Sequence, residues 1–236
     1  MPVYPPTYRK RIYYKFKNID ANEHRLMIRF YQEHEKVIFQ LEDEQYFELL
    51  VCYLRALFEI GSYDTFLKSV DEAIEFSLQF EFCEFEDRDV FQYLLFRKAA
   101  AHYHMMEYGK AVSILEQLVQ INPEERLFAR FLRKCMRRQH PTIIEHSRAF
   151  SVFLFLAAAI MIAVEILFVR NFYPDLAPSL EFSRNLIFGL GLLTLFLGDG
   201  LLRLKVYRKV LKLTYKYKRI KTRKNTNSIK DEANRP

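Results

Sequence analysis

Residues 149–169 read AFSVFLFLAAAIMIAVEILFV, 21 residues with a single charge, Glu165. As a helix this run is about 31 Å long, which matches the roughly 30 Å hydrocarbon core of a bilayer. A helix at the surface of a soluble domain keeps a polar stripe over such a length. The run therefore predicts a transmembrane helix, and the rest of the chain has to be read around it.

A second span is predicted at 186–204. Residues 186–198 are thirteen residues without charge, followed by Asp199, Gly200 and, shortly after, Arg203. Flanking charge supports the pair. Arg130, Arg133, Lys134, Arg137, Arg138 and Arg148 precede the first span, whereas the connecting loop, 170–185, carries basic residues only at its edges, Arg170 and Arg184. Residues 206–236 hold eleven basic and two acidic side chains. The positive-inside rule places both ends of such a hairpin in the cytoplasm. The expectation is an integral protein of a cytoplasmic membrane, bacterial in type, with both termini cytoplasmic and the loop outside.

The net charge of +7 divides unevenly. Residues 1–148 sum to −2, residues 149–205 to zero and residues 206–236 to +9, so the excess belongs to the tail. A basic nucleic-acid-binding domain is disfavoured. Three cysteines, Cys52, Cys83 and Cys135, form no Cys-x-x-Cys and read as reduced core thiols. The basic N-terminus is not followed by an apolar stretch, so no signal peptide is expected. Residues 1–21 read as a basic, Tyr-rich arm.

Intramembrane charge is by default a functional hypothesis. Glu165 falls near the outer end of the first span and Asp199 near the inner end of the second, so they differ in depth and do not form a relay. Asp199 precedes Arg203 by one helical turn, where the two can neutralise each other. Gly189-x-Gly191 and Gly198-x-Gly200 offer small faces for helix contact, though neither is a Gly-x-x-x-Gly.

Residues 22–140 carry apolar side chains at helical spacing, with few breakers. The segment 25–40 is a patchy amphipathic helix. Phe47, Leu50, Val51, Leu54, Leu57 and Phe58 mark a second. Gly61-Ser62-Tyr63-Asp64 reads as a turn, after which Phe66, Val70, Ala73 and Ile74 continue. Further helices carry Leu94, Leu95 and Ala99, then Ala111, Leu115 and Leu118. Pro123-Glu124-Glu125 opens the last one, with Leu127, Phe128, Phe131, Leu132, Cys135 and Met136 on one face.

The pattern Leu95-x3-Ala99-x3-Tyr103-x4-Tyr108-x2-Ala111-x3-Leu115-x2-Leu118-x4-Pro123 resembles the tetratricopeptide repeat. Leu50, Gly61, Tyr63 and Ala73 fit an earlier unit. The resemblance implies an all-α fold: a short solenoid of about three helix pairs with 25–40 and 124–139 as end caps. Two transmembrane helices and a basic amphipathic tail helix, 205–224, would follow, with residues 225–236 disordered. It also implies a partner-binding face on the first helix of each pair, at Arg55, Phe58, Tyr93, Phe96, Tyr103 and His104.

Two charged surfaces accompany it. Residues 42–89 hold fourteen Asp/Glu against three Arg/Lys, and Glu81, Phe82, Glu84, Phe85, Glu86 and Asp87 interleave acid with aromatic side chains. Such a strip suits a basic or amphipathic protein segment. Arg133, Arg137 and Arg138 before the first span, and Arg208, Lys209, Lys212 and Lys216 after the second, suit anionic lipid. Nucleic acid is the less favoured partner of the tail. His102 and His104 are two apart and point to different sides of a helix, so no metal site is expected. No phosphate loop or nucleophile motif is present, so neither enzyme activity nor a cofactor is expected. The reading is a membrane-anchored adaptor for a protein partner, with room for an oligomer. The alternative is a subunit of an ion- or proton-coupled membrane machine using Glu165 or Asp199.

Overall fold

The computed structural model describes residues 4–79, 84–85, 88–139, 141–169 and 177–233. Within those segments, the side chains of 84, 85, 88, 141–146, 168–169, 177–178, 180, 198, 199, 202 and 224–233 lie outside the description. Among the described residues the fold is all-α apart from a ribbon of two strands of two residues each.

Element order is α1 (Pro6–Lys17), α2 (His24–Ile38), α3 (Asp43–Glu59), α4 (Tyr63–Gln79), β1 (Glu84–Phe85), β2 (Arg88–Asp89), α5 (Val90–His104), α6 (Tyr108–Ile121), α7 (Arg126–Gln139), α8 (Pro141–Val164), a π-helical turn (Glu165–Val169) and α9 (Ala177–Ala233). The chain forms two compact units, Met1–Phe128 and Ala129–Pro236, and the boundary falls inside α7. The helix expected to cap the repeat stack thus lies mostly in the second unit.

In the first unit each helix packs on the next, from α1 through α6, and α1 also reaches α3. This arrangement is consistent with a helical repeat. The apolar positions spaced at three and four residues supply the core: Leu50, Leu54 and Leu57 of α3, Phe66 and Val70 of α4, and Leu94 and Ala101 of α5 are buried. Turn chemistry fixes the hairpins. Gly61 (φ 79°) ends α3, with Gly61 N donating to Phe58 O at 3.1 Å and Ser62 N to Leu57 O at 2.9 Å. This paired closure uses glycine's access to positive φ. At the end of α5 the same two bonds recur, from Met106 N to Tyr103 O and from Glu107 N to His102 O, but the positive-φ residue is Met106 (φ 61°). The two hairpins therefore turn in the same way on different residues.

The N-terminal segment, expected as an arm, is the helix α1. Pro6 suits its first turn. Ile12 and Phe16, one turn apart, are buried in the same core as α2 and α3. Two of its basic residues are engaged: Lys17 pairs with Glu48, and the Arg9 guanidinium donates to Gln40 O.

In the second unit α8 and α9 form an antiparallel pair. Ser147 Oγ donates to Thr194 O at 2.7 Å, the Phe155 and Phe188 ring centroids lie 5.4 Å apart, and Arg184 meets Glu165 at 2.8 Å. Small residues suit a close approach: Ser151 and Ala158 are buried on α8. A Cβ on Gly191 would come within 2.8 Å of Phe155 Cε1, whereas one on Gly189 would meet nothing within 4 Å. Of the glycines expected at the contact, Gly191 makes it, Gly189 and Gly200 face open space, and Gly198 lies outside the described side chains.

Among the described residues one helix, Ser147–Leu167, is long and apolar enough to cross a membrane, where the sequence leads one to expect two. The second expected span, 186–204, lies inside α9, where the apolar run gives way after Leu197 to Gly-Asp-Gly and then Arg203. Residues 198, 199 and 202 within it are among those whose side chains are not described. Of the stretch expected as a loop at 170–185, residues 177–185 belong to α9, whose first turn suits Pro178, and residues 170–176 lie outside the described residues. The basic helix is not separate but continuous with the apolar one. It also runs past Asn225, where disorder was expected, to Ala233, because no glycine or proline occurs between Leu201 and Arg235.

Candidate functional site

The expected groove residues of α5 divide between its two sides. Tyr93, Arg97 and His104 face α3 and α4. The Arg97 guanidinium carbon sits 4.4 Å from the Phe58 centroid and 5.3 Å from that of Tyr93, and its Nη1 meets Glu59 Oε1 at 2.9 Å. His104 stacks on Tyr63 with centroids 4.7 Å apart and an interplanar angle of 9°. Phe58 stands edge-on to Tyr63, Phe66 and His104. Arg97 was not anticipated from the sequence. Its position one turn after Tyr93 was the available signal, since a cation there can lie over aromatic rings.

Phe96 and Tyr103 face the other way. Phe96 packs on Phe128 at 5.6 Å and Tyr103 on Tyr108 at 5.4 Å. Between the start of α5 and the α6–α7 connection lies a groove of about 580 Å³, lined by Gln92, Tyr93, Phe96, Arg97, Asn122 and Phe128 among others. Local chemistry builds its floor and rim. Asp89 caps α5 by accepting from Gln92 N at 3.0 Å, and Asn122 Nδ2 donates to Gln92 Oε1 at 3.2 Å. Leu127, expected on the buried face of α7, is about half exposed at the groove edge. The combination of half-buried aromatic rings, an arginine and side-chain amides suits the capture of a protein segment. Aromatic and arginine side chains dominate such contacts.

Arg55 lies elsewhere. It lines a smaller cavity, about 150 Å³, with Phe16, Lys17, His24, Met27 and Cys52. His24 Nδ1 is buried there without a hydrogen-bond partner. Of the expected groove residues, Tyr93 and Phe96 thus line the groove beside α5, whereas Phe58 and His104 sit in the aromatic cluster between α3, α4 and α5, Tyr103 packs on Tyr108, and Arg55 lies apart from all of them.

Of the acidic-aromatic strip, Glu81, Phe82, Glu86 and Asp87 lie outside the described residues. Glu84 and Phe85 form β1, paired antiparallel to Asp89 and Arg88 of β2. The two histidines turn apart: His102 Nδ1 contacts Glu107 Oε2 at 2.7 Å, and His104 stacks on Tyr63.

In the second unit Glu165 pairs with Arg184 rather than standing alone, with side-chain exposures of 12% and 27%. Asp199 is outside the described side chains. Arg133 lies over the Tyr207 ring at 5.4 Å, and Arg133, Arg137 and Arg203 line a common groove. Arg138, Arg208, Lys209, Lys212 and Lys216 are exposed, while Val206 and Val210 are buried on the opposite stripe of α9. Along α8 and the apolar part of α9 the outward side chains are exposed hydrophobics, among them Phe150, Phe153, Leu156 and Ile160 on α8 and Leu193 and Phe196 on α9.

No protein family, curated protein or solved structure matches the chain. What fold and site define is a class by architecture: an all-α protein of sequentially packed helices, with a second unit built on an antiparallel apolar helix pair.

Proposed function

We propose that this protein is a membrane-anchored adaptor. Its helical domain, a tetratricopeptide-like stack, binds a protein segment in the α5 groove, and α8 with the apolar part of α9 forms a hairpin through the bilayer. Both termini lie on the cytoplasmic side, and the basic part of α9 rests on anionic lipid. The observation that carries the reading is the Ser147–Leu167 helix, long and apolar enough to cross a bilayer, with exposed hydrophobic side chains along it and along the apolar part of α9. Soluble chains seldom expose large apolar patches, and lipid would cover these side chains. The groove of Tyr93, Phe96 and Arg97 supports the recruiting role.

The competing reading, an ion-coupled subunit, needs an intramembrane carboxylate free to exchange protons. Arg184 already holds Glu165, which weighs against it.

Photo-crosslinking from the full-length protein in its native membrane tests the adaptor role. A benzophenone amino acid at Phe96 should give a discrete adduct that disappears with Tyr93→Ala. The same probe at exposed Phe39 should give none. Identical adducts from both positions, or none from either, would remove the groove as the recruiting surface.

A further inference from the structure

We infer that the segment captured in the α5 groove is basic: a stretch of partner chain in which Lys or Arg stands next to an apolar or aromatic side chain. This rests on the recruiting role proposed above and names the chemistry of what is recruited. The groove lies wholly within the first unit. Its floor is built from the fold: Phe128 is buried, Gln92, Tyr93, Phe96 and Asn122 are half-buried, and Phe96 packs on Phe128. Asp89 and Glu125 stand exposed at its rim, the first at the start of α5 and the second just before α7.

Charge decides the occupant. Asp89 accepts from Gln92 N at 3.0 Å and from Gln92 Nε2 at 2.7 Å, and Glu125 accepts from Leu127 N at 3.0 Å. These donors are neutral, so among the described residues neither carboxylate is met by a cationic side chain. Arg97, the lining residue of opposite sign, already pairs with Glu59 at 2.9 Å. Asp89 also closes the acidic stretch 42–89. A carboxylate offers about four lone-pair sites and these caps use one or two, so each acid can still take a Lys or Arg donor. Beside them the rings of Tyr93 and Phe96 give an apolar side chain its contact area and a cation its face. The Gln92 amide is held by Asp89 on one side and by Asn122 Nδ2, at 3.2 Å, on the other, which leaves Asn122 Oδ1 to accept a peptide N–H. An acidic segment would meet both carboxylates with like charge, and a wholly apolar one would cover them without compensation. A basic segment does neither.

The test uses full-length protein in neutral detergent and a phage-displayed library of random peptides. Phage bound by the unaltered protein are depleted on Tyr93→Ala protein and, in parallel, on Phe96→Leu protein, so that peptides needing these rings remain. The milder Phe96→Leu keeps the selection valid if Tyr93→Ala unfolds. Enriched peptides are synthesised with a fluorescein label and titrated by anisotropy. They should carry Lys or Arg beside an aliphatic or aromatic residue. Asp89→Asn with Glu125→Gln, which keeps a good cap on α5, should weaken their binding about fivefold or more. Asp43→Asn with Glu44→Gln removes the same charge at the start of α3, outside the groove, and should change binding less than about twofold. Equal losses from the two pairs, or ring-dependent peptides that are acidic or uncharged, would overturn the basic segment and leave the recruiting groove standing. If no peptide survives either depletion, the groove takes up no segment, and the recruiting reading falls together with this inference.

Discussion

Gly191 and Phe155 fix how closely the two apolar helices approach: a Cβ on Gly191 would lie 2.8 Å from Phe155 Cε1 and 3.4 Å from Leu154 Cβ. Gly191→Leu should therefore force α8 and α9 apart and break the Ser147–Thr194 bond, at a cost of about 1–3 kcal/mol. Thermal denaturation in detergent reads the loss. Gly191→Ala should be rescued in part by Phe155→Ala, because the clash is with that ring, and Gly189→Ala should be neutral.

Glu165 and Arg184 should behave as a structural pair. Arg184→Gln leaves a mostly buried carboxylate without its partner and should destabilise the helix pair by about 2–4 kcal/mol. Glu165→Gln with Arg184→Gln should recover most of that stability, by the same denaturation assay, and should leave partner crosslinking at Phe96 intact. Loss of function in the stable double variant would favour the ion-coupled reading.

Met106 holds the positive-φ position that Gly61 holds in the preceding hairpin. A non-glycine residue there carries a steric cost of about 1 kcal/mol. Met106→Gly should raise stability by up to that amount, and Gly61→Met should lower it, as measured by chemical denaturation.

Two groups of side chains set opposite pH limits. Hydrogen bonding to Glu48 pushes the Tyr13 phenol up to about 12, and burial raises Tyr31 and Tyr46 as well. A raised phenol stabilises the fold below its ordinary value near 10, and that contribution is lost as pH rises through the folded value. Absorbance should show the tyrosines of this network ionising late, together with unfolding; titration at their ordinary value in the folded state would contradict the packing. At the acid end, Lys110 and then His102 hold the Glu107 carboxyl below its ordinary 4.5. Its contribution is present above that value and is lost as pH falls through the lower folded one. Glu107→Gln should flatten the acid limb of stability and leave the alkaline limb unchanged.

Much of this was legible in the chain because local patterns wrote it. The three- and four-residue spacing of Leu50, Leu54 and Leu57, the Gly61 turn and the uncharged run from Ala149 each specify an element without help from distant residues. The α1 helix escaped notice because its basic and tyrosine residues masked the Ile12–Phe16 spacing, and its burial depends on α2 and α3. The same limit applies at the site. Sequence placed Phe58, Tyr93, Phe96 and His104 on first helices, but only packing separates the two sides of α5, brings Arg97 over Phe58 and sends Arg55 towards α1. The convergence of Arg203 with the α7 arginines is likewise a tertiary fact, since more than sixty residues of chain lie between them.

The account stands most directly on topology. Epitope tags at both termini of the full-length protein, in sealed vesicles with the outer face exposed, should both survive added protease and both be lost once detergent opens the membrane. Digestion of either tag in sealed vesicles would contradict a hairpin with both ends cytoplasmic. It would also place the α5 groove or the basic helix on the side where the proposed partner and lipid are not.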